Sequence, residues 1–218
     1  MSRTAAERDG WVLRAVKVPE LRALFELHHR YKGVSATATY AFGAYEDDRL
    51  VAAFTWQPPP VGCAKAVLPE CHSGVLSLSR MVAVPREERR LKHLSNPLRV
   101  QMHHLIDRTR WPALVTFSDE GQGHTGHVYR CSGWTKTTRA ATPNFEDEAG
   151  SRTSKYQNGA TSAVGLVRAG WSVKQRWEHH VVSPEQAMAH MLAAGWVREP
   201  VPGKVWASGN PAYRWRKS

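Results

Sequence analysis

Residues Phe117 to Trp134 read FSDEGQGHTGHVYRCSGW. Together with the preceding ALVT they open as a short apolar run, Ala113 to Asp119, the signature of a buried strand. They close as a short helix, HTGHVYRCSGW, stopped at Gly133, with Trp134 opening another strand. Between strand and helix lie a carboxylate (Asp119), three glycines, two histidines and a tyrosine. In an open α/β sheet the carboxyl ends of the strands are where ligands bind. The segment therefore indicates both a fold class and a place for chemistry.

Working outward, VLSLSRMVAV (Val75 to Val84) alternates as a strand does. A basic loop follows, and a helix begins at Ser95, read as its N-cap, with Leu98, Met102, Leu105 and Ile106 as its apolar stripe. The middle of the chain is thus strand, basic loop, helix, strand, short helix, strand, which is an α/β pattern. Upstream, YAFGAYEDDRLVAAFTWQPPP predicts a hairpin turning at Glu46-Asp47-Asp48-Arg49. VPELRALFELHHRYKG predicts an amphipathic helix, begun by Pro19 and ending in the polar cluster His28 to Lys32. Residues 61–74 fit either a short helix or a loop. Residues 140–163 are polar and rich in Gly, Ser and Thr, which predicts a long loop. Ser183-Pro184-Glu185-Gln186 is a capping-box start for a helix ending at Gly195. The expected division is a core over residues 1–138 and a basic C-terminal extension over 139–218, continuing or decorating the same domain.

Composition narrows the function classes. Of 218 residues 42% are hydrophobic, enough for a buried core, which excludes a globally disordered chain. A formal net charge of +11 favours a polyanionic partner such as nucleic acid. The three cysteines are an odd number without a C-x-x-C pair, which disfavours both a disulfide framework and a cysteine zinc site. The start MSRTAAERDGW has no apolar signal region and no run is long enough for a membrane span, so a cytoplasmic protein with no membrane association is expected.

Three groups of residues could carry chemistry. Asp119, ending a buried strand, suits a general base, a metal ligand or a helix cap. Tyr129, ten residues on, could pass a proton or hold a substrate. His124 and His127, spaced i, i+3, form a weak candidate metal pair. Arg86, Arg89, Arg90, Lys92 and His93 precede the helix start at Ser95, where backbone N–H groups favour an anion. That loop has no glycine, which a phosphate-cradling loop normally needs.

The strand LSLSRMVAV, the helix start at Ser95 and FSDEGQGHTGHVYRCSGW together resemble the core of a GNAT-like acyltransferase, and more closely the Mom proteins of bacteriophages. The family's pattern is a strand with Ser/Asn-Arg, a polar loop with Ser, a strand ending in Asp, then G-x-x-Y-x-A-x-G-F/W. Ser79-Arg80, Ser95, Asp119 and Gly126 through Trp134, with Tyr129 inside, match it in turn. His29 and Tyr31 resemble the family's His-Tyr element, here with Arg30 between them. The resemblance covers roughly residues 20–135. It implies a GNAT-like mixed central sheet flanked by helices, and an enzyme that converts adenine in double-stranded DNA to N6-carbamoylmethyladenine. The modification protects phage DNA from host restriction, in the host cytoplasm if the chain is phage-encoded. Asp119, Tyr129, Tyr31, His29, Arg80 and Ser95 are then the expected catalytic residues, with Ser95 and Arg90 holding the donor. His29, Tyr31 and Asp119 are the expected ligands if a transition metal such as iron takes part. Acetyl-CoA is the less expected cofactor, because a Gly-rich pyrophosphate loop is missing, and a homodimer is an open expectation. Two other functions compete. One is an acyl-CoA-dependent N-acyltransferase acting on a small amine or an aminated base. The other is a non-enzymatic DNA-binding anti-restriction protein.

Overall fold

The computed structural model describes residues 3–8, 10–29, 38–108, 110–146, 152–153, 167–205 and 211–218. Its strands are β1 (Arg3–Arg8), β2 (Trp11–Ala15), β3 (Tyr40–Glu46), β4 (Arg49–Gln57), β5 (Val75–Ala83), β6 (Ala113–Asp119), β7 (Thr135–Glu146), β8 (Arg152–Thr153), β9 (Val167–His180), β10 (Trp196–Val205) and β11 (Pro211–Lys217). The helices are α1 (Arg22–His28), α2 (Val61–Val67), α3 (Ser95–Arg108), α4 (His127–Cys131) and α5 (Ala187–Ala193). Nine strands form one sheet in the order β1-β2-β3-β4-β5-β6-β9-β7-β8, and β10 and β11 form a separate hairpin. All neighbours in the large sheet are antiparallel except β5 and β6, which are parallel and joined through α3.

The predicted hairpin is β3–β4. Asp47 and Asp48 both have positive φ (46° and 62°), as a two-residue turn matched to strand twist requires. Residues 61–74, left open by the sequence, contain α2 and a 3-10 turn. Two expectations are corrected. The N-terminal residues form a hairpin that was not predicted, and residues 140–146 of the expected loop belong to β7. The rest of that loop, apart from Arg152 and Thr153, lies outside the described residues. The predicted boundary at 138/139 falls inside β7, and β9, from the expected extension, lies in the sheet between β6 and β7.

Two apolar clusters sandwich the centre of the sheet. On one face Trp56 donates from Nε1 to Gln101 Oε1 of α3 at 2.9 Å and stacks on Trp134, ring centroids 6.3 Å apart. Leu76, Leu114 and Trp177 belong to this cluster. On the other face Val75, Ala113 and Val115 pack with Ala64 and Val67 of α2, with Leu68 just after it, and with Ala187 and Met191 of α5. Leu76 and Leu114 therefore face opposite to Val75 and Val115, as strand alternation demands. No described helix is long and apolar enough to cross a membrane.

Candidate active site

The β5–β6 pairing is short. Regular partners run only from Val75↔Ala113 to Ser77↔Val115, and β6 then pairs with β9 along its whole length. The next link between β5 and β6 is a side chain: Thr116 Oγ1 donates to the Leu78 carbonyl at 3.1 Å. Beyond it the ladder does not resume. On its other edge β5 carries a bulge, since Trp56 pairs with Leu78 but Thr55 pairs with Arg80. Ser79 is the extra residue, and its hydroxyl donates to the Thr55 carbonyl at 2.9 Å. A lapsed ladder beside a bulge leaves an opening between β5 and β6, with Arg80 on the one strand and Asp119 at the end of the other.

Asp119 ends β6 and precedes a 3-10 turn, Glu120–Gln122, to which its side chain gives no capping bond. The helix-cap reading is thereby set aside. Instead Asp119 Oδ1 accepts a hydrogen bond from Ser172 Oγ of β9, a serine only 2% exposed. Nothing in the sequence near Asp119 pointed to this partner, which lies 53 residues away and is brought in by the pairing of β6 with β9.

Tyr129 lies in α4, part-buried against Trp134 and Trp177, whose rings are 6.0 and 5.9 Å from its own. Burial pushes its phenol up from the usual range, with a hydrogen bond to Thr116 as the opposing influence. At neutral pH the phenol keeps its proton. Thr116 gives its own proton to the Leu78 carbonyl, and the Tyr129 phenol lies beside it on the same face of the sheet. Thr116 and Asp119 have opposite parity on β6. The structure therefore places Tyr129 and Asp119 on opposite faces of the sheet, at one opening.

The other predicted residues are placed as follows. Arg80 follows the bulge on β5. Ser95 is the first residue of α3 rather than its cap, and its carbonyl accepts a 3.4 Å hydrogen bond from Ser132 at the end of α4. His29 follows α1 and packs edge-on against Phe25. Tyr31 lies outside the described residues. Among the described residues no three His, Cys, Asp or Glu side chains gather as metal ligands; the set His29, Tyr31 and Asp119 includes a residue that lies outside them. The pair His124 and His127 does not share a helix face, because α4 begins only at His127.

The basic loop is also corrected in part. Arg90, expected to hold a cofactor anion, instead pairs with Asp47 at 2.7 Å and lies 3.9 Å from Glu46. Arg89 is buried and donates to the carbonyls of Val84 and Leu91, and Lys92 donates to those of Arg86 and Arg89. These cations tie the loop to itself and to the β3–β4 turn.

Sequence reading missed a charged cluster on β9. Glu178, 6% exposed, accepts from Arg176 Nε (2.7 Å), His180 Nε2 (2.7 Å) and Thr137 Oγ1 (2.9 Å). Burial alone would raise its carboxyl; the hydrogen bonds from His180 and Thr137 and the Arg176 charge outweigh that and hold it below the usual range. A depressed carboxyl contributes stability that is full above its unfolded-state pKa and lost as pH falls through the folded value. Acidification below about pH 4.5 is thus expected to lower Tm in the wild type. Glu178→Gln should lower Tm at neutral pH and flatten this acid dependence. Melting curves from pH 3 to 7 that stay parallel for the two proteins would refute the assignment.

A family model for the Mom protein family matches residues 11–192. The chain belongs to the Mom protein family. The match extends the resemblance well past residue 135, through β7, β9 and α5. The fold of this Mom-family chain is that of the GNAT acetyltransferases. Ribosomal-protein-S5-alanine acetyltransferase from Vibrio fischeri superposes with a TM-score of 0.50 at 8% identity, covering 83% of this chain and 96% of that one. A GNAT-family acetyltransferase from Bacillus anthracis gives 0.49 at 7% identity, covering 83% and 99%. No curated protein sequence matches the Mom-family chain.

Proposed function

We propose that this Mom-family protein is a transferase that modifies adenine in double-stranded DNA, forming N6-carbamoylmethyladenine and so shielding phage DNA from restriction. The observation that carries the reading is the family match over residues 11–192, which includes every matched motif position from His29 to Trp134. The net charge of +11 is in keeping with a DNA substrate. Reaching N6 for group transfer requires the base to leave the duplex. A base approaching the β5–β6 opening from the Asp119 face would offer its amino group to that carboxylate, which accepts the N6 proton as N6 bonds to the donor's methylene carbon and that carbon's bond to the leaving part of the donor breaks, the pair departing with it. Tyr129, on the opposite face with its proton retained, would bind the donor by hydrogen bond. Arg80 and Ser95 are proposed to hold an anionic or carbonyl part of the donor. No step is assigned to a metal. The test is mass spectrometry of nucleosides from DNA of cells expressing the protein. An adenosine derivative heavier by a carbamoylmethyl group supports the reading; unmodified DNA alongside abundant folded protein rejects it.

The second reading, an acyl-CoA-dependent N-acyltransferase, is favoured by the fold and by the opening between β5 and β6. Against it, Arg89, Arg90 and Lys92 are committed to carbonyls and carboxylates, leaving the loop before α3 poorly equipped for a pyrophosphate. Titration calorimetry with acetyl-CoA separates the two: micromolar binding favours the acyltransferase.

A further inference from the structure

We infer that Phe117 is a stacking platform for an unpaired nucleobase, placed so that the base edge reaches Asp119. The inference rests on the DNA-modifying reading and names the surface that would receive the base. Phe117 and Asp119 are two residues apart on β6, so their side chains share a face, about 6.6 Å apart along the strand. Phe117 is 42% exposed, whereas the residues from Ala113 to Thr116 and Ser118 are buried. A strand in the interior of a nine-stranded sheet thus presents one aromatic ring to solvent, next to the proposed base.

Its neighbours say what the ring would take. Arg176 is the cross-strand partner of Phe117, and Lys174 that of Asp119. Directly paired residues share a face and lie within about 5.5 Å. Arg176 is fixed in place by Glu178 at 2.7 Å and by Thr137 at 3.3 Å. The surface therefore combines an apolar disc, backed by a guanidinium already paired with Glu178, with an ammonium group and a hydrogen-bond-accepting carboxylate. A planar ligand that donates hydrogen bonds and is tethered to phosphates satisfies the ring, the ammonium and the carboxylate, and an unpaired base in a nucleic acid is such a ligand. An acyl chain would leave the charges unmet, and a free carboxylate would be repelled by Asp119. A second copy of the chain would have to bury the Lys174 and Asp119 charges beside one ring, which interface cores avoid. Stacking of a base on an aromatic side chain is strong enough to offset much of the cost of unstacking it.

The test uses the full chain and short fluorescent DNA duplexes, with binding read by anisotropy. One duplex carries adenine and the other an abasic site at the same position. Phe117→Ala is expected to weaken binding of the adenine duplex about tenfold and to leave the abasic duplex unaffected; Phe117→Trp should bind both like the wild type. Lys174→Ala should weaken both equally and lower the salt slope by about one. Equal losses on both duplexes for Phe117→Ala, or none, overturn the platform, and if the wild type still modifies cellular adenine the enzyme reading stands. A base-dependent loss without any adenine modification by the wild type upholds the platform and overturns the enzyme reading. A wild type that neither binds DNA nor modifies it overturns both. Sedimentation showing that Phe117→Ala dissociates a dimer would instead assign the ring to a contact between copies.

Discussion

Asp119→Asn should abolish adenine modification almost completely, by about a hundredfold or more, while leaving the protein folded. The size follows from the role. A positioned general base contributes roughly 10²–10⁴-fold, and an amide cannot take the proton. The choice of variant follows from Ser172, whose hydroxyl is 2% exposed and donates to Asp119 Oδ1. Asn keeps an oxygen for that hydroxyl to bond. Ala would strand it, at a cost of about 1–3 kcal/mol, and lost activity could then reflect lost structure. Nucleoside mass spectrometry of cellular DNA gives the activity, and Tm of the purified variant gives the fold. A folded Asn variant that modifies adenine at the wild-type level would remove Asp119 from the chemistry.

The sequence and the structure agree where the signal is local. The turn Asp47-Asp48 between apolar runs, the alternation in Val75–Ala83 and the apolar run ending at Asp119 each depend on neighbours in the chain, and each forms as expected. The Asp9-Gly10 dipeptide is a hairpin signal too, and Gly10, just before β2, has φ of +77°. The largest omission is the place of β9 in the sheet. Trp171, Val173, Gln175 and Trp177 alternate with Ser172, Lys174, Arg176 and Glu178, so a period of two was present. Its charges hide the strand, because buried ion pairs such as Arg176–Glu178 look like surface charge in a sequence. Its insertion between β6 and β7 is set by pairing across about fifty residues, which no local pattern encodes. Both features that refine the site, the Ser172 bond to Asp119 and the cations opposite Phe117, come from that one strand. Tyr129 was legible as a candidate, but its position across the sheet from Asp119 was not, because it depends on which face α4 covers.

Gly126→Ala should cost more stability than its size suggests, about 3 kcal/mol. Gly126 precedes α4 with φ of +69°, a left-handed conformation that costs an L-residue about 1–2 kcal/mol. A Cβ built there would also lie 2.2 Å from Cζ2 of Trp177 and 2.5 Å from Cε2. These are atoms of a rigid ring, 4% exposed and held by a 2.9 Å hydrogen bond from Nε1 to Ser118 Oγ. The indole cannot rotate away without breaking that bond, so the overlap adds about 1–3 kcal/mol. For a domain of this size the sum corresponds to a fall in Tm of roughly 6–12 °C. The effect on function should exceed the effect on stability. Trp177 packs against Tyr129, so a displaced indole would move the phenol proposed to hold the donor. Gly123→Ala is the internal comparison: φ is +70°, but nothing lies within 4 Å of the added Cβ. It carries only the backbone penalty. If both variants melt at the same temperature, Trp177 is free to move and does not hold α4 in place. A Gly126 variant that melts lower and modifies adenine poorly, beside a Gly123 variant that retains activity, would show that the glycine serves the close approach of α4 to β9.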